Sequence, residues 1–457
     1  MKYPIALLAL TAVTEASPVS IRQNPDDIFN NKQKLCKGWD LRTAEGVNKL
    51  WTDTAAGVSL ELFIKTQWEH EHAWVKNLED YIQIGTDGKS GASGCGLLGT
   101  DCNPMGGISC EDQFDKYGQS TIGKNSYWTF QAIKGMHSKF AELHRKLTSE
   151  TIIEGLKIDQ MLSAFGGIDK PPSKMDDWIP IAIRIGGVLG GFIPGVGPII
   201  SPALNIFGSV LGGTNLRDPK PSPAPTLKAA VADLFRSASV RLEDTLRIAT
   251  GGGTNQDEYN SLPAPKEDTF DSKVAKMLNG GWFLLDDDVE AMRWVFSSIV
   301  DNLQRKIANE VMSSSGLRLI ATKDRFKTRE ECTGPGKRWL PLHDGQEYCW
   351  YIMRQADDNW SDVTEDVYTN MASFGLGDQQ LETYYKAIID CALRPGDKKD
   401  ADTSDMVVGQ IPQCFFNLPA YFYNEVFQPT NCDSAFEGAY IPCPKDYVTS
   451  LSDASSH

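Results

Sequence analysis

Six histidines, ten cysteines and sixty carboxylates are the side chains that could carry chemistry in these 457 residues. The histidine cluster is Glu69-His70-Glu71-His72. On a helix His70 and His72 point in different directions, whereas the metalloprotease pattern needs histidines four residues apart on one face. His137 and His144 are seven apart and could share a helix face, but such pairs are more often surface or core residues than ligands. Cys95, Cys102 and Cys110 are spaced more widely than the close thiolate pairs that hold zinc. No metal or cofactor is therefore expected. Asp357-Asp-Asn-Trp-Ser-Asp362 starts like a calcium loop but lacks its central glycine and closing glutamate. Gly208-Ser209-Val-Leu-Gly212 lacks the spacing of a nucleophile elbow. Neither a phosphate loop nor a dinucleotide fingerprint occurs. The carboxylates could supply the pair of a glycoside hydrolase, yet sequence alone selects no pair, so a secreted hydrolase is the weakest of three readings.

Charge and processing signals narrow the setting. A net charge of −15 argues against nucleic acid as a partner, because phosphate binding needs a positive field. It also disfavours electrostatic docking on anionic lipid, so any membrane contact has to be hydrophobic. Lys2, the apolar stretch from Ile5 to Val13 and the small residues ending at Ala16 predict a signal peptide over residues 1–17. That stretch is too short to anchor the chain in a bilayer. A secreted, extracellular protein follows, and the cysteines agree. Cys36, Cys95, Cys102 and Cys110 precede residue 111, and Cys332, Cys349, Cys391, Cys414, Cys432 and Cys443 follow residue 331. Both groups are even, so disulfides within each end are the simplest scheme. Asn359-Trp360-Ser361 is a glycosylation sequon, which predicts surface exposure at Asn359.

The elements around these residues are mostly helical. Residues 43–81 lack proline and space their apolar side chains for one or two helices. Residues 85–107 read as a loop pinned by disulfides. Trp128, Ile133, Met136, Phe140, Leu143 and Leu147 mark one long helix or two stacked ones over 127–165, ended by Gly166-Gly167. Two further amphipathic helices are expected over 226–248 and after Asp286-Asp-Asp288, whose carboxylates suit a helix N-terminus. Another starts near Asp378. The domain reading is an N-terminal helical and cysteine-loop region over 18–112 and a central helical domain over 113–316. A cysteine-rich C-terminal module over 317–446 and a disordered tail over 447–457 follow.

The central domain holds the most unusual segment, an uncharged, glycine-studded apolar run over residues 185–216. It is long enough to span a bilayer, but Pro194, Pro198 and Pro202 interrupt it and its flanks lack the basic residues that fix topology. A hairpin over residues 179–213 fits better, with arms each about 20 Å long. Glycines four apart, from Gly186 and Gly190 through Gly187, Gly191 and Gly195 to Gly208 and Gly212, let backbones approach closely. Ile185, Gly186, Gly187, Gly190, Gly191, Phe192, Pro194, Gly195, Pro198, Gly208 and Gly212 are the membrane-insertion candidates. A purely structural core gains nothing evident from so many glycines, each of which loses up to about 1 kcal/mol of helix stability against alanine. A segment that repacks between two environments could use them. The fold class expected is mainly α, a helical bundle around this hairpin with a disulfide-rich C-terminal module.

Two resemblances sharpen the expectation. Cys95-Gly-Leu-Leu-Gly-Thr-Asp-Cys102 with Cys110, followed by Trp128 and a long helix, resembles a group of secreted fungal proteins of unknown function. It implies secretion and a role at a host or competitor surface, and it supplies no catalytic residue. Long helices around a glycine-rich apolar hairpin resemble, in architecture alone, the α-helical pore-forming toxins, whose hairpin enters the membrane. A membrane-active toxin or effector is thus the leading reading, with a lipid membrane or a cell-surface receptor as partner and oligomers forming on the membrane. The alternative is a soluble secreted binding or structural module whose hairpin is simply core.

Overall fold

The computed structural model of the chain describes residues 28–68, 73–172, 175–185, 197–212, 224–252, 256–262, 264, 269–286, 288–322, 325–342, 345–356, 359–393, 409–423 and 448–450. The expected signal peptide and the 69–72 cluster lie outside these residues. So do Gly186, Gly187, Gly190, Gly191, Phe192, Pro194, Gly195, Cys432 and Cys443.

Helices dominate, as the apolar spacing predicts. Where one or two were expected over 43–81 there are three, α1 (Ala44–Asp53), α2 (Ala56–Thr66) and α3 (Trp74–Gln83). A left-handed residue, Ala55 at φ 49°, turns the chain between the first two without proline or glycine, which is why the break is silent in the sequence. A short helix, α4 (Cys110–Tyr117), precedes α5 (Thr121–Leu147), which buries Trp128, Ile133, Met136, Phe140, Leu143 and Leu147. Where one or two helices were expected here, a short helical turn at Glu150–Gly155 and then α6 (Ile158–Phe165) follow, the latter stopped by left-handed Gly166, whose N–H bonds the Leu162 carbonyl.

The apolar region contributes α7 (Trp178–Ile185) and α8 (Gly197–Gly212). Next comes α9 (Leu227–Ala249), close to the expected bounds because Thr226 caps it and Asp169 accepts from the Leu227 N–H. A 27-residue helix, α10 (Asp288–Ser314), starts at the third of the three aspartates. In the C-terminal part α11 (Glu365–Ser373) and α12 (Leu381–Ala392) flank a sheet. A short 3-10 turn over Asp378–Gln380 introduces α12, so the helix proper begins slightly later than the sequence suggested.

That sheet is the main departure from the sequence reading. Its strands are β1 (Leu317–Thr322), β2 (Arg338–Pro341), β3 (Glu347–Ala356), β4 (Asn359–Asp362), β5 (Ala420–Tyr423) and β6 (Val448–Ser450). The order is β2-β3-β1-β5-β6, with β4 also on β3 and the β1–β5 pair parallel. Leu319, Ala321, Trp350 and Ile352 face the main core, while Ile320, Tyr351, Met353 and Trp360 form a second apolar cluster on the other face. Burial on both faces removes the polar–apolar alternation by which an exposed strand is recognised. Within the tail expected to be disordered, residues 448–450 add the edge strand β6.

Four disulfides occur among the described residues, Cys36–Cys110, Cys95–Cys102, Cys332–Cys349 and Cys391–Cys414, each within its own end of the chain. Apolar side chains from Ile28 to Ala420 join one contiguous core. Close approach of α5 to the 3-10 turn at Asn279–Leu284 requires Gly135, since a Cβ there would lie 1.9 Å from the Phe283 carbonyl oxygen. Gly135→Ala should therefore lose about 3 kcal/mol in urea unfolding, whereas Gly155→Ala, with open space around it, should be neutral.

Candidate functional site

The two helices that flank the glycine-rich centre form the site of interest. Along α7, Trp178, Ile179, Pro180, Ile181, Ala182, Ile183 and Ile185 are buried, and Arg184 is partly so. Pro180 is tolerated because it lies in the first turn, where its missing N–H has no intrahelical partner anyway. On α8, Leu204, Ile206, Phe207, Val210 and Leu211 are buried. The two helices pack on each other and both pack on α10; α8 also meets α9. Phe207 makes edge and tilted ring contacts with Trp282 at 6.0 Å and Phe140 at 5.3 Å. Among the described residues no helix is long and apolar enough to cross a membrane.

Groups from other elements satisfy some of the last carbonyls of these two helices, which have no partner within their own helix. Asn302 on α10 donates to the Ala182 carbonyl at 2.8 Å, and the Gly409 N–H to the Arg184 carbonyl at 2.9 Å. Arg241 on α9 donates to the Leu211 carbonyl at 2.7 Å. Arg184 itself crosses α8 at Gly208 and reaches the Ser209 hydroxyl at 3.5 Å. Burial lowers its guanidinium pKa from the ordinary value.

Sequence reasoning missed the surface on which α7 rests. Asn302, Arg305, Lys306 and Asn309 form a buried polar row on α10 at helical spacing. Lys306 pairs with Glu310 at 2.7 Å and donates to Asn417, while its ammonium lies over the Trp178 and Phe415 rings. Asn309 donates to the same Asn417 oxygen and accepts from the Tyr384 hydroxyl. Arg305 bonds Asn302 and the Gly375 carbonyl. Burial pushes the Tyr384 hydroxyl well above its usual pKa. The available signal was the polar row itself, running beside the apolar stripe Val295, Ile299, Leu303, Ile307 and Val311; in isolation it reads as a solvated face.

Of the remaining candidates, Gly208 and Ser209 meet Arg184, Ile185 is the last residue of α7, and Pro198 and Gly212 lie on α8. The two helix-sharing histidines do not converge, since His137 contacts the Leu97 carbonyl at 3.0 Å and His144 pairs with Glu243 at 2.9 Å. Cys95, Cys102 and Cys110 are all in disulfides, which removes the thiolates a zinc site would need. Asn359 begins the edge strand β4, opposite Ala356. A cleft of about 290 Å³ lies beside the site, with Met175, Ile179, Leu211, Leu234 and Arg241 in its wall.

No protein-family model, curated protein or solved structure matches the chain.

Gly208 offers a direct test of the packing. An added Cβ would meet the Arg184 Cγ at 2.6 Å, so Gly208→Leu should expel the arginine and lose about 2 kcal/mol in urea unfolding.

Proposed function

We propose that this is a secreted, non-enzymatic, membrane-active protein, a toxin or effector that stores its apolar segment 179–213 against a polar seam and releases it at a membrane. One observation carries the reading. The buried helix α7 leans on Asn302 and Lys306, so its departure would uncover groups that water solvates well. Leaving an apolar groove open would cost roughly 25 cal/mol for every Å² exposed; a polar seam reduces that penalty. Arg184 is the one charged residue between Asp177 and Arg217, and among the described residues it pairs with no carboxylate, so no described ion pair has to break. The architectural resemblance to α-helical pore-forming toxins points the same way. On this reading the C-terminal module recognises the target surface and oligomers assemble on the membrane.

Dye release from liposomes, measured across pH and lipid composition, tests it. Release accompanied by protease protection of 179–213 is expected. No release under any condition, with protection of the segment unchanged by lipid, would refute it. The cleft beside α7 favours a second reading, a soluble secreted binding module with the hairpin as permanent core. That reading expects no release and a ligand-dependent rise in melting temperature.

A further inference from the structure

We infer that residues 409–418, tethered to the end of α12 by the Cys391–Cys414 disulfide, form a redox-sensitive clasp over the apolar helix α7. The inference rests on the proposed storage of segment 179–213 and names what controls its release. Residues 409–418 run past the last turn of α7, the end of α12 and the buried row of α10, and the disulfide ties their middle to α12. The Gly409 N–H bonds the Arg184 carbonyl in the last turn of α7. Phe415 is fully buried and sandwiches the Lys306 ammonium with Trp178, the first residue of α7. Asn417 accepts from both Lys306 and Asn309 on α10. One short loop thus touches both ends of α7, directly at Arg184 and through Lys306 at Trp178.

Two further features make the disulfide the control point. Cys414 sits at φ 64°, in the left-handed region that a non-glycine residue leaves when nothing holds it. Its partner Cys391 is partly exposed, as is Cys36 of the Cys36–Cys110 bridge, whereas both residues of Cys95–Cys102 and of Cys332–Cys349 are buried. A thiolate of an external dithiol attacks the Cys391 sulfur, the S–S bond breaks, and Cys414 leaves as a thiolate that takes up a proton. The second thiol of the reagent then displaces Cys391 from the mixed disulfide. Two electrons pass from the dithiol, which becomes a cyclic disulfide, to the protein, which gains two thiols. The loop then loses its tether and its hold on α7.

The test uses the full chain. Amide hydrogen exchange is followed over 178–185 and, as a reference, over 128–143 in α5, for wild type and the Cys391→Ser/Cys414→Ser double variant. At least tenfold faster exchange over 178–185 with α5 unchanged is expected, and a Cys36→Ser/Cys110→Ser variant should not reproduce it. Equal exchange over 178–185 overturns the clasp. Asn417→Ala keeps the disulfide and removes the acceptor shared by Lys306 and Asn309, so it decides the matter if the cysteine variant does not fold; wild-type exchange there also overturns the clasp. Dye release from phosphatidylcholine vesicles is measured on the same samples, and at least a tenfold increase is expected for the opened clasp. Faster exchange without release in any sample leaves the clasp standing and removes the membrane-active reading; release unchanged by opening the disulfide, with exchange also unchanged, removes the clasp and keeps that reading.

Discussion

Glu79→Ala should lose about 3–5 kcal/mol of stability and release the N-terminal cysteine loop. Glu79 on α3 is completely buried, and its carboxyl group organises residues 90–105. Oε1 accepts from the Gly91 N–H at 3.0 Å and the Met105 N–H at 2.6 Å; Oε2 accepts from the Ser90 hydroxyl at 2.6 Å and the Ala92 N–H at 3.4 Å. The loop has little apolar content, and the Cys95–Cys102 bridge closes only seven residues of it. Alanine would leave the buried Ala92 and Met105 N–H groups without their acceptor, each worth about 1–3 kcal/mol, and would remove the partner of the more exposed Gly91 N–H and Ser90 hydroxyl. Glu79→Gln keeps one carbonyl oxygen but turns an N–H₂ toward donors, so it should fall between alanine and wild type. Urea unfolding of the three proteins, with limited proteolysis at 85–107, measures this. An alanine variant within about 0.5 kcal/mol of wild type would show that the disulfide alone holds the loop.

The helical half of the fold is legible because its signals are local. Thr226 and Gly166 mark helix ends through a cap and a left-handed turn, and the apolar spacing on α5, α9 and α10 survives into the packed structure. The sheet is not legible. β1 takes its partners from residues 349–354 and 420–423, pairings that local pattern does not encode, and burial of both faces hides its period. The break at Ala55 is silent because that residue adopts a conformation its type does not advertise. At the site, the apolar helices were evident from composition. Their supporting surface was not, because Asn302, Arg305, Lys306 and Asn309 acquire meaning only once α7, Gly375 and Asn417 are brought onto α10. Gly208 could be singled out from glycine spacing, yet its role in admitting Arg184 depends on the crossing of α7 and α8.

Lys306→Ala should have a comparable effect, about 3–5 kcal/mol, and should loosen α7 more than α5. The lysine side chain is 6% exposed and its partner Glu310 17%, so solvent screens this pair little. Alanine leaves the Glu310 carboxylate half of a buried pair and takes a donor from Asn417. It also removes the ammonium between Trp178 and Phe415, and the methylene stem that fills the space beneath it. Removing one partner of a buried pair is more damaging than removing both, because desolvation of the remaining charge is no longer offset. Lys306→Met/Glu310→Leu should accordingly recover most of the loss in urea unfolding. The two variants also separate stability from storage. If the seam exists to make α7 detachable, the apolar pair should hold α7 more tightly than wild type, with slower amide exchange over 178–185 and less dye release from vesicles despite near-normal stability. If α7 is a permanent part of the core, exchange over 178–185 should track global stability in both variants, and the polar row on α10 would then have no role in release.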